Sequence, residues 1–217
     1  MKKISVCIVE DVTDIREALE QIIDFSDNCV LAASYSSGEE ALVKIPIIQP
    51  DVVLMDIGLG SSNGIDLVKE LKPLHPEILF MMCTIYEEDE KIFEALRAGA
   101  NGYILKKSSP SKLLDAIGEL VEGGAPMSSQ IALKLVNVFK DMPVMEGALP
   151  DPENEETASL TKKEKAVLEK LAQGKIYKEI GREMEISAET VRKHVYNIYE
   201  KLHVSNRVAA VNKFFGR

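Results

Sequence analysis

The chain of 217 residues has no tryptophan, only three cysteines and three histidines. It also has no apolar run near the roughly 18 residues that a membrane span requires. Each shortage excludes something. Cys7, Cys29 and Cys83 are odd in number, sit in or beside apolar segments and lack metal-ligand spacing. A disulfide scaffold and a zinc module are therefore excluded, and reduced, buried thiols in a cytoplasmic protein are expected. The histidines are too far apart to suggest a zinc site. Met1-Lys2-Lys3 followed by Ile4–Val9 could open a secretion leader, but Glu10 and Asp11 cut the apolar run short, so secretion is not expected. There is no G-x-x-x-x-G-K-[ST] loop, which speaks against a nucleotide hydrolase.

What is present is an uneven distribution of charge. The net charge is −9. Residues 1–156 carry 13 Lys/Arg against 28 Asp/Glu, a balance of −15, whereas residues 157–217 carry 13 against 7, a balance of +6. An acidic body with a small basic tail points to a polyanionic partner for the tail alone.

Between Ile4 and about Glu122, short apolar runs alternate with helix-like stretches. The runs are Ile4–Val9, 29–34, Val52–Met55, 78–83 and Gly102–Leu105. They are nearly continuously hydrophobic, as strands covered on both faces should be. Ser37 with Glu40 has capping-box spacing, and Ser109-Pro110 places proline at a first helical position. Five βα units predict an α/β doubly wound, five-stranded parallel sheet over residues 1–122, with function gathered beyond the carboxyl ends of its strands. Residues 123–159 are expected to be a linker containing a helix over 128–140. Its stretch 141–159 holds three prolines and several acids, with little to bury. From Leu160 to Arg217 the pattern is helical, opening on the capping box Thr161-Lys-Lys-Glu164.

A charge at the end of an apolar strand must be solvated, paired or bound to metal. Glu10 and Asp11 close the first strand and Asp56 the third, so a parallel sheet brings these carboxylates together. Three such groups repel unless a cation joins them, and hard oxygen donors favour Mg2+. Thr84 closes the fourth run and Lys106 the fifth. A hydroxyl and an ammonium around one carboxylate suit a phosphoryl group.

In that order, these residues resemble a CheY-like receiver domain. Tyr103 stands three residues before Lys106, as the switch aromatic of that family does, and Gly64 follows Asp56 at the family spacing. The resemblance implies that Asp56 accepts phosphate from a histidine kinase. It implies that Glu10, Asp11, Asp56 and the Gly58 carbonyl hold Mg2+, and that Thr84 and Lys106 bind phosphoryl oxygens while Tyr103 turns inward. Two departures stand out. Gly60 replaces the usual proline, predicting a looser loop after Asp56. Ile85 replaces the usual small residue and is expected to crowd the approach to Asp56, slowing phosphotransfer, hydrolysis or both. Tyr86 beside it reads either as a surface residue or as a screen that keeps water from the phosphate.

Residues 160–217 resemble the LuxR/NarL-type helix-turn-helix, through Leu160-Thr161-Lys-Lys-Glu164, Leu171-Ala172-Gln-Gly174, Lys178-Glu179-Ile180, Ile186-Ser187, Thr190-Val191, His194-Val195 and Val204-Ser205-Asn206-Arg207. Ser187 is placed to cap a helix running to about Leu202. Val191, Val195, Ile198 and Leu202 recur as one buried stripe. The opposite face carries Glu189, Arg192, Lys193, Tyr196 and Glu200. Arg192 and Lys193, with Tyr196, are the candidates for base edges, and Lys178, Thr190, His194 and Lys201 those for phosphates of double-stranded DNA. The resemblance implies pairing of two copies through the last helix, about 205–214, when Asp56 is phosphorylated. The whole chain thus resembles the NarL/FixJ, LuxR-type two-component response regulators, a class in which the receiver catalyses only its own phosphoryl transfer and dephosphorylation. Two rivals remain. An aspartyl-nucleophile phosphatase would need a second Asp where Gly58 stands. A phosphorylation-independent DNA-binding regulator would use the receiver only as a scaffold.

Overall fold

The computed structural model describes residues 3–134 and 159–214. They divide into two compact units, the first of residues 3–121 and 126–134, the second of residues 122–125 and 159–214.

The first unit is the α/β unit expected from the alternating runs. Its strands β1 (Ile4–Val9), β2 (Cys29–Tyr35), β3 (Val52–Met55), β6 (Leu79–Thr84) and β7 (Gly102–Leu105) form one parallel sheet in the order β2-β1-β3-β6-β7. The helices are α1 (Thr13–Asp24), α2 (Gly38–Ile48), α3 (Gly64–Leu74), α4 (Asp89–Ala98) and α5 (Pro110–Val121). Strand pleating sorts the side chains into two cores. Val9, Val53, Met55, Phe80 and Met82 pack against α2, α3 and α4, whereas Ile8, Val52, Leu54 and Met81 pack against α1 and α5. Burial on both faces is why these strands read as unbroken apolar runs. Ser37 caps α2 through the Glu40 amide, as its spacing predicts.

The second and fourth runs shift slightly, to Cys29–Tyr35 and Leu79–Thr84, since main-chain pairing with β1 and β3 sets strand ends, not hydropathy. A short antiparallel hairpin, β4 (Gly58–Leu59) with β5 (Ser62–Asn63), follows Asp56 where a looser loop was expected. Gly60 turns it at a φ of 63°, a left-handed conformation closed to proline. The hydroxyls of Ser61 and Ser62 tie it to Glu39 at the start of α2. Residues 129–134 are helical (α6), within the helix predicted for 128–140, whose remainder lies outside the described residues, as does 141–158 of the predicted linker.

The second unit is all helical: α7 (Lys162–Ala172), α8 (Tyr177–Met184), α9 (Ala188–Leu202) and α10 (Arg207–Phe214). Thr161 and Glu164 form the predicted capping box of α7. Val191, Val195, Ile198 and Leu202 are buried on α9 against Val167, Leu168, Leu171 and Ile180. Arg207 donates to the Leu171 and Lys175 carbonyls, holding α10 to the end of α7. Among the described residues no helix is long and apolar enough to cross a membrane.

Candidate functional site

Sheet order reverses at β1, with β2 on one side and β3 on the other. Beyond the carboxyl ends of these strands lies the crevice that such sheets use. Glu10 follows β1 and Asp56 follows β3, and the Asp56 amide donates to the Val9 carbonyl, so backbone pairing sets the two acids side by side. Carboxylate oxygens of Glu10, Asp11 and Asp56 lie within 4.8 Å of one another.

Lys106, one residue past β7, reaches into this group. Its Nζ lies 2.6 Å from Glu10 Oε2 and 2.9 Å from Asp56 Oδ2. Burial holds the Glu10 carboxyl above the usual carboxylate value, with Lys106 pulling it down and Asp56 adding to the rise. Burial also works against the Lys106 ammonium, but its bonds to Glu10 and Asp56 outweigh that and hold its pKa above the ordinary lysine value. Three carboxylates against one ammonium leave an excess of negative charge. Asp56 Oδ1 is buried without a hydrogen-bond partner among the described residues. That orphaned oxygen and the all-oxygen donor set fit a hard divalent cation held by Glu10, Asp11 and Asp56.

Thr84 is fully buried at the end of β6, and its carbonyl accepts from the Lys106 amide. Tyr103 is fully buried on β7, its hydroxyl donating to the Tyr86 carbonyl at 3.0 Å, and burial raises its phenol well above the usual value, so it stays a donor. Gly64 opens α3 so close to Asp56 that a Cβ there would meet the Asp56 carbonyl oxygen at 1.8 Å. The residues of the predicted set thus converge, Glu10, Asp11, Asp56 and Lys106 in one cluster, Thr84 and Tyr103 on the adjoining strands.

Tyr86 is half-buried. Its hydroxyl would stand 3.4 Å from a Cβ at Gly58, on the shelf beside Asp56 Oδ2. Ile85 is 68% exposed. Sequence reasoning, which predicted a helix from 128, missed the pairing of residues 126–128 with the edge of β7. Nothing in their composition signals a strand, yet Met127 bridges to Tyr103 and Ile131 is fully buried in the core beside it.

On α9 the predicted outer face is exposed: Arg192, Lys193 and Tyr196 stand in solvent, with Glu189 3.6 Å from Arg192. His194 is half-buried. Thr190 is drawn into the helix cap, its amide and hydroxyl both on the Ser187 hydroxyl. Lys178 is exposed at the start of α8. Lys201 reaches the buried Glu164 carboxylate at 2.7 Å. Burial disfavours that charge, but Lys201 and Thr161 together hold Glu164 below the usual carboxylate value. Lys201 therefore has a structural partner as well as an exposed flank.

Comparison with known proteins covers both units. The family described as "Response regulator receiver domain" matches residues 6–118, and that described as "Bacterial regulatory proteins, luxR family" matches residues 158–214. A nitrate/nitrite response regulator protein homolog from Haemophilus influenzae is 31% identical over 98% of this chain and 97% of its own. The transcriptional regulatory protein UhpA of Escherichia coli is 31% identical, over 98% of each chain. Among solved structures, the response regulator ChrA of a heme-sensing two-component system is 29% identical, with a TM-score of 0.54 over 98% of this chain and 96% of that one.

Proposed function

We propose a phosphorylation switch for this chain, which belongs to the response regulators that join a receiver domain to a luxR-type DNA-binding domain. The carrying observation is Lys106 Nζ set between Glu10 and Asp56 while Asp56 Oδ1 has no hydrogen-bond partner among the described residues. An oxygen of Asp56 attacks the phosphorus of a phosphohistidine on a partner kinase. The O–P bond forms, the N–P bond breaks, and the imidazole leaves with a proton. Lys106 turns from the Asp56 carboxylate to the phosphoryl oxygens, and the buried Thr84 hydroxyl is the next donor on the adjoining strand. Glu10, Asp11, Asp56 and the Gly58 carbonyl would hold Mg2+, which would offset the phosphoryl charge. The added charge, about −1.5 to −2, favours a second conformation of the receiver that controls pairing and DNA binding by the second unit.

In that unit, Arg192 and Lys193, with Tyr196, face base edges, and Lys178, Thr190, His194 and Lys201 face phosphates. Because Glu189 and Glu200 dilute the positive face, two copies joined through α10 bind better than one.

The test is DNA binding by the full chain and by Asp56→Ala, each with and without a small phosphodonor and Mg2+, on duplexes selected from a random library. Wild type is expected to gain about tenfold in affinity and Asp56→Ala nothing. Equal binding under all four conditions would favour a phosphorylation-independent regulator.

Tyr86, lying over the Gly58 shelf, shields the phosphoryl group from water. Tyr86→Ala is expected to speed loss of phosphate about three- to tenfold, a barrier change of about 1 kcal/mol. The exposed Ile85 is expected to contribute less. A rate that responds to Ile85→Ala but not to Tyr86→Ala would reverse that assignment.

A further inference from the structure

β7 is the last strand of the sheet, but its outer edge is not bare. The chain returns after α5 and lays residues 126–128 along it. The Tyr103 amide donates to the Pro126 carbonyl at 2.9 Å, and the Ser128 amide donates to the Tyr103 carbonyl at 3.1 Å. The Ser128 hydroxyl then accepts from the Leu105 amide at 3.2 Å. Gly102 permits the approach, since a Cβ there would meet the Pro126 carbonyl oxygen at 2.9 Å. Beyond the edge, α6 sinks Ile131 into the core that contains Tyr103, Ile92 and Ala95, and Lys134 pairs with Asp89 of α4 at 2.7 Å.

The hydrogen-bonded attachments fall on the strand that leads to Lys106. Tyr103 and Leu105 stand three residues and one residue before Lys106, and the Lys106 amide is bonded to the Thr84 carbonyl. The Tyr103 hydroxyl is bonded to the Tyr86 carbonyl. On its other side the segment borders a cleft of about 200 Å³ against α5, between Ile104, Ala116, Met127 and Ser128, so it is fastened on the β7 and α4 side and loosely packed on the other. Two main-chain bonds, one bond to the Ser128 hydroxyl, the buried Pro126 and Ile131 and one exposed ion pair hold the segment, few enough attachments for it to open locally.

We propose that residues 126–134 are a strap whose docking on β7 and α4 is set by the state of Asp56, so that phosphorylation releases it. This rests on the reading of Asp56 as phosphoacceptor. When Lys106 leaves the Asp56 carboxylate for a phosphoryl oxygen, the end of β7 moves with it, and the bonds at Tyr103 and Leu105 that fit the resting register are lost. In sequence, the strap runs directly into residues 135–159 and then the helix-turn-helix. Its release therefore changes the tether of the DNA-binding unit without needing a contact between the two units.

The experiment is amide hydrogen exchange on the full chain with and without the phosphodonor and Mg2+, with Asp56 phosphorylation confirmed by intact mass. In the wild type, the Ser128 and Tyr103 amides are expected to exchange about tenfold faster on phosphorylation, and in Asp56→Ala not at all. Ile131→Ala is expected to raise the same exchange about tenfold or more without phosphodonor, because truncating a buried isoleucine loosens the docked state. Ser128→Ala, which removes only the hydroxyl bond to Leu105, should act in the same direction with less risk to folding. If these amides stay equally protected while DNA affinity still responds to the phosphodonor, the strap is overturned and the phosphoacceptor reading stands. If Asp56 is phosphorylated yet neither exchange nor DNA affinity changes, the strap is overturned and so is phosphorylation as the control of DNA binding, while Asp56 stands as the phosphoacceptor.

Discussion

Gly64→Ala is expected to cost the first unit about 3 kcal/mol or more and to abolish phosphorylation at Asp56. The added Cβ would lie 1.8 Å from the Asp56 carbonyl oxygen, 2.9 Å from its carbonyl carbon and 2.9 Å from Met55 Cγ. Two of these three atoms are backbone, so no rotamer change relieves the overlap. The end of β3 must move, and with it Asp56, the proposed phosphoacceptor. Gly118→Ala is the contrasting case. Gly118 lies within α5, and nothing stands within 4 Å of an added Cβ there. Alanine should stabilise that helix by about 0.5–1 kcal/mol, by restricting the unfolded chain and removing the cost of a mid-helix glycine. Urea unfolding followed through resolved NMR signals of β3 reads both variants on the first unit. Equal stabilities for the two would show that the contact at Gly64 is not tight.

The second large effect is a rise of stability with pH that belongs to Lys72. This lysine on α3 is 1% exposed, and its ammonium donates to the Pro76 and Ile78 carbonyls at 2.8 and 2.7 Å. Burial lowers its pKa from the ordinary 10.5 to about 7, with Glu77 pulling the other way. Between those values the unfolded chain holds a proton that the folded chain has released, so unfolding takes one up and stability increases with pH. The increase is about 1.4 kcal/mol per unit through the window and vanishes below about pH 7. Burial raises the Cys7 and Cys83 thiols from 9.0 to about 11 and about 12, which lowers stability once pH exceeds 9. The window that isolates Lys72 is therefore pH 7 to about 8.5, where the wild type should gain about 2 kcal/mol. Lys72→Met, which keeps the length and removes the amine, should give a flat profile there. It should also be offset by about 1–3 kcal/mol, because the buried Ile78 carbonyl and the half-buried Pro76 carbonyl lose their donor. Parallel slopes in both proteins would assign the titration to another group.

Neither glycine contact nor buried lysine was legible beforehand. Gly64 was recognised only by its spacing from Asp56, and the spacing says nothing of the carbonyl that excludes a side chain. Lys72 reads as one more charge on an amphipathic helix. Its burial arises because the chain turns at residues 75–78 and brings two carbonyls back over the end of α3. The same limit applies to Tyr86. The sequence points to Ile85 as the residue that crowds Asp56 and leaves Tyr86 open, but the path out of β6 leaves Ile85 exposed and carries Tyr86 beside Gly58.

Local pattern alone determined the five βα units, the caps at Ser37, Thr161 and Ser187, the buried stripe of α9, and the acids, hydroxyl and lysine at strand ends. Each of these depends on periodicities and capping chemistry that act over a few residues. Only tertiary structure decided which strand-end groups touch. Lys106 sits between Glu10 and Asp56, Lys201 lies on Glu164, the chain after Asp56 forms a hairpin, and residues 126–134 close the edge of β7. Apart from the hairpin, those pairings join residues tens of positions apart. Their stability comes from hydrogen bonds, ion pairs and burial made within the assembled units, which a local reading of residue types cannot supply.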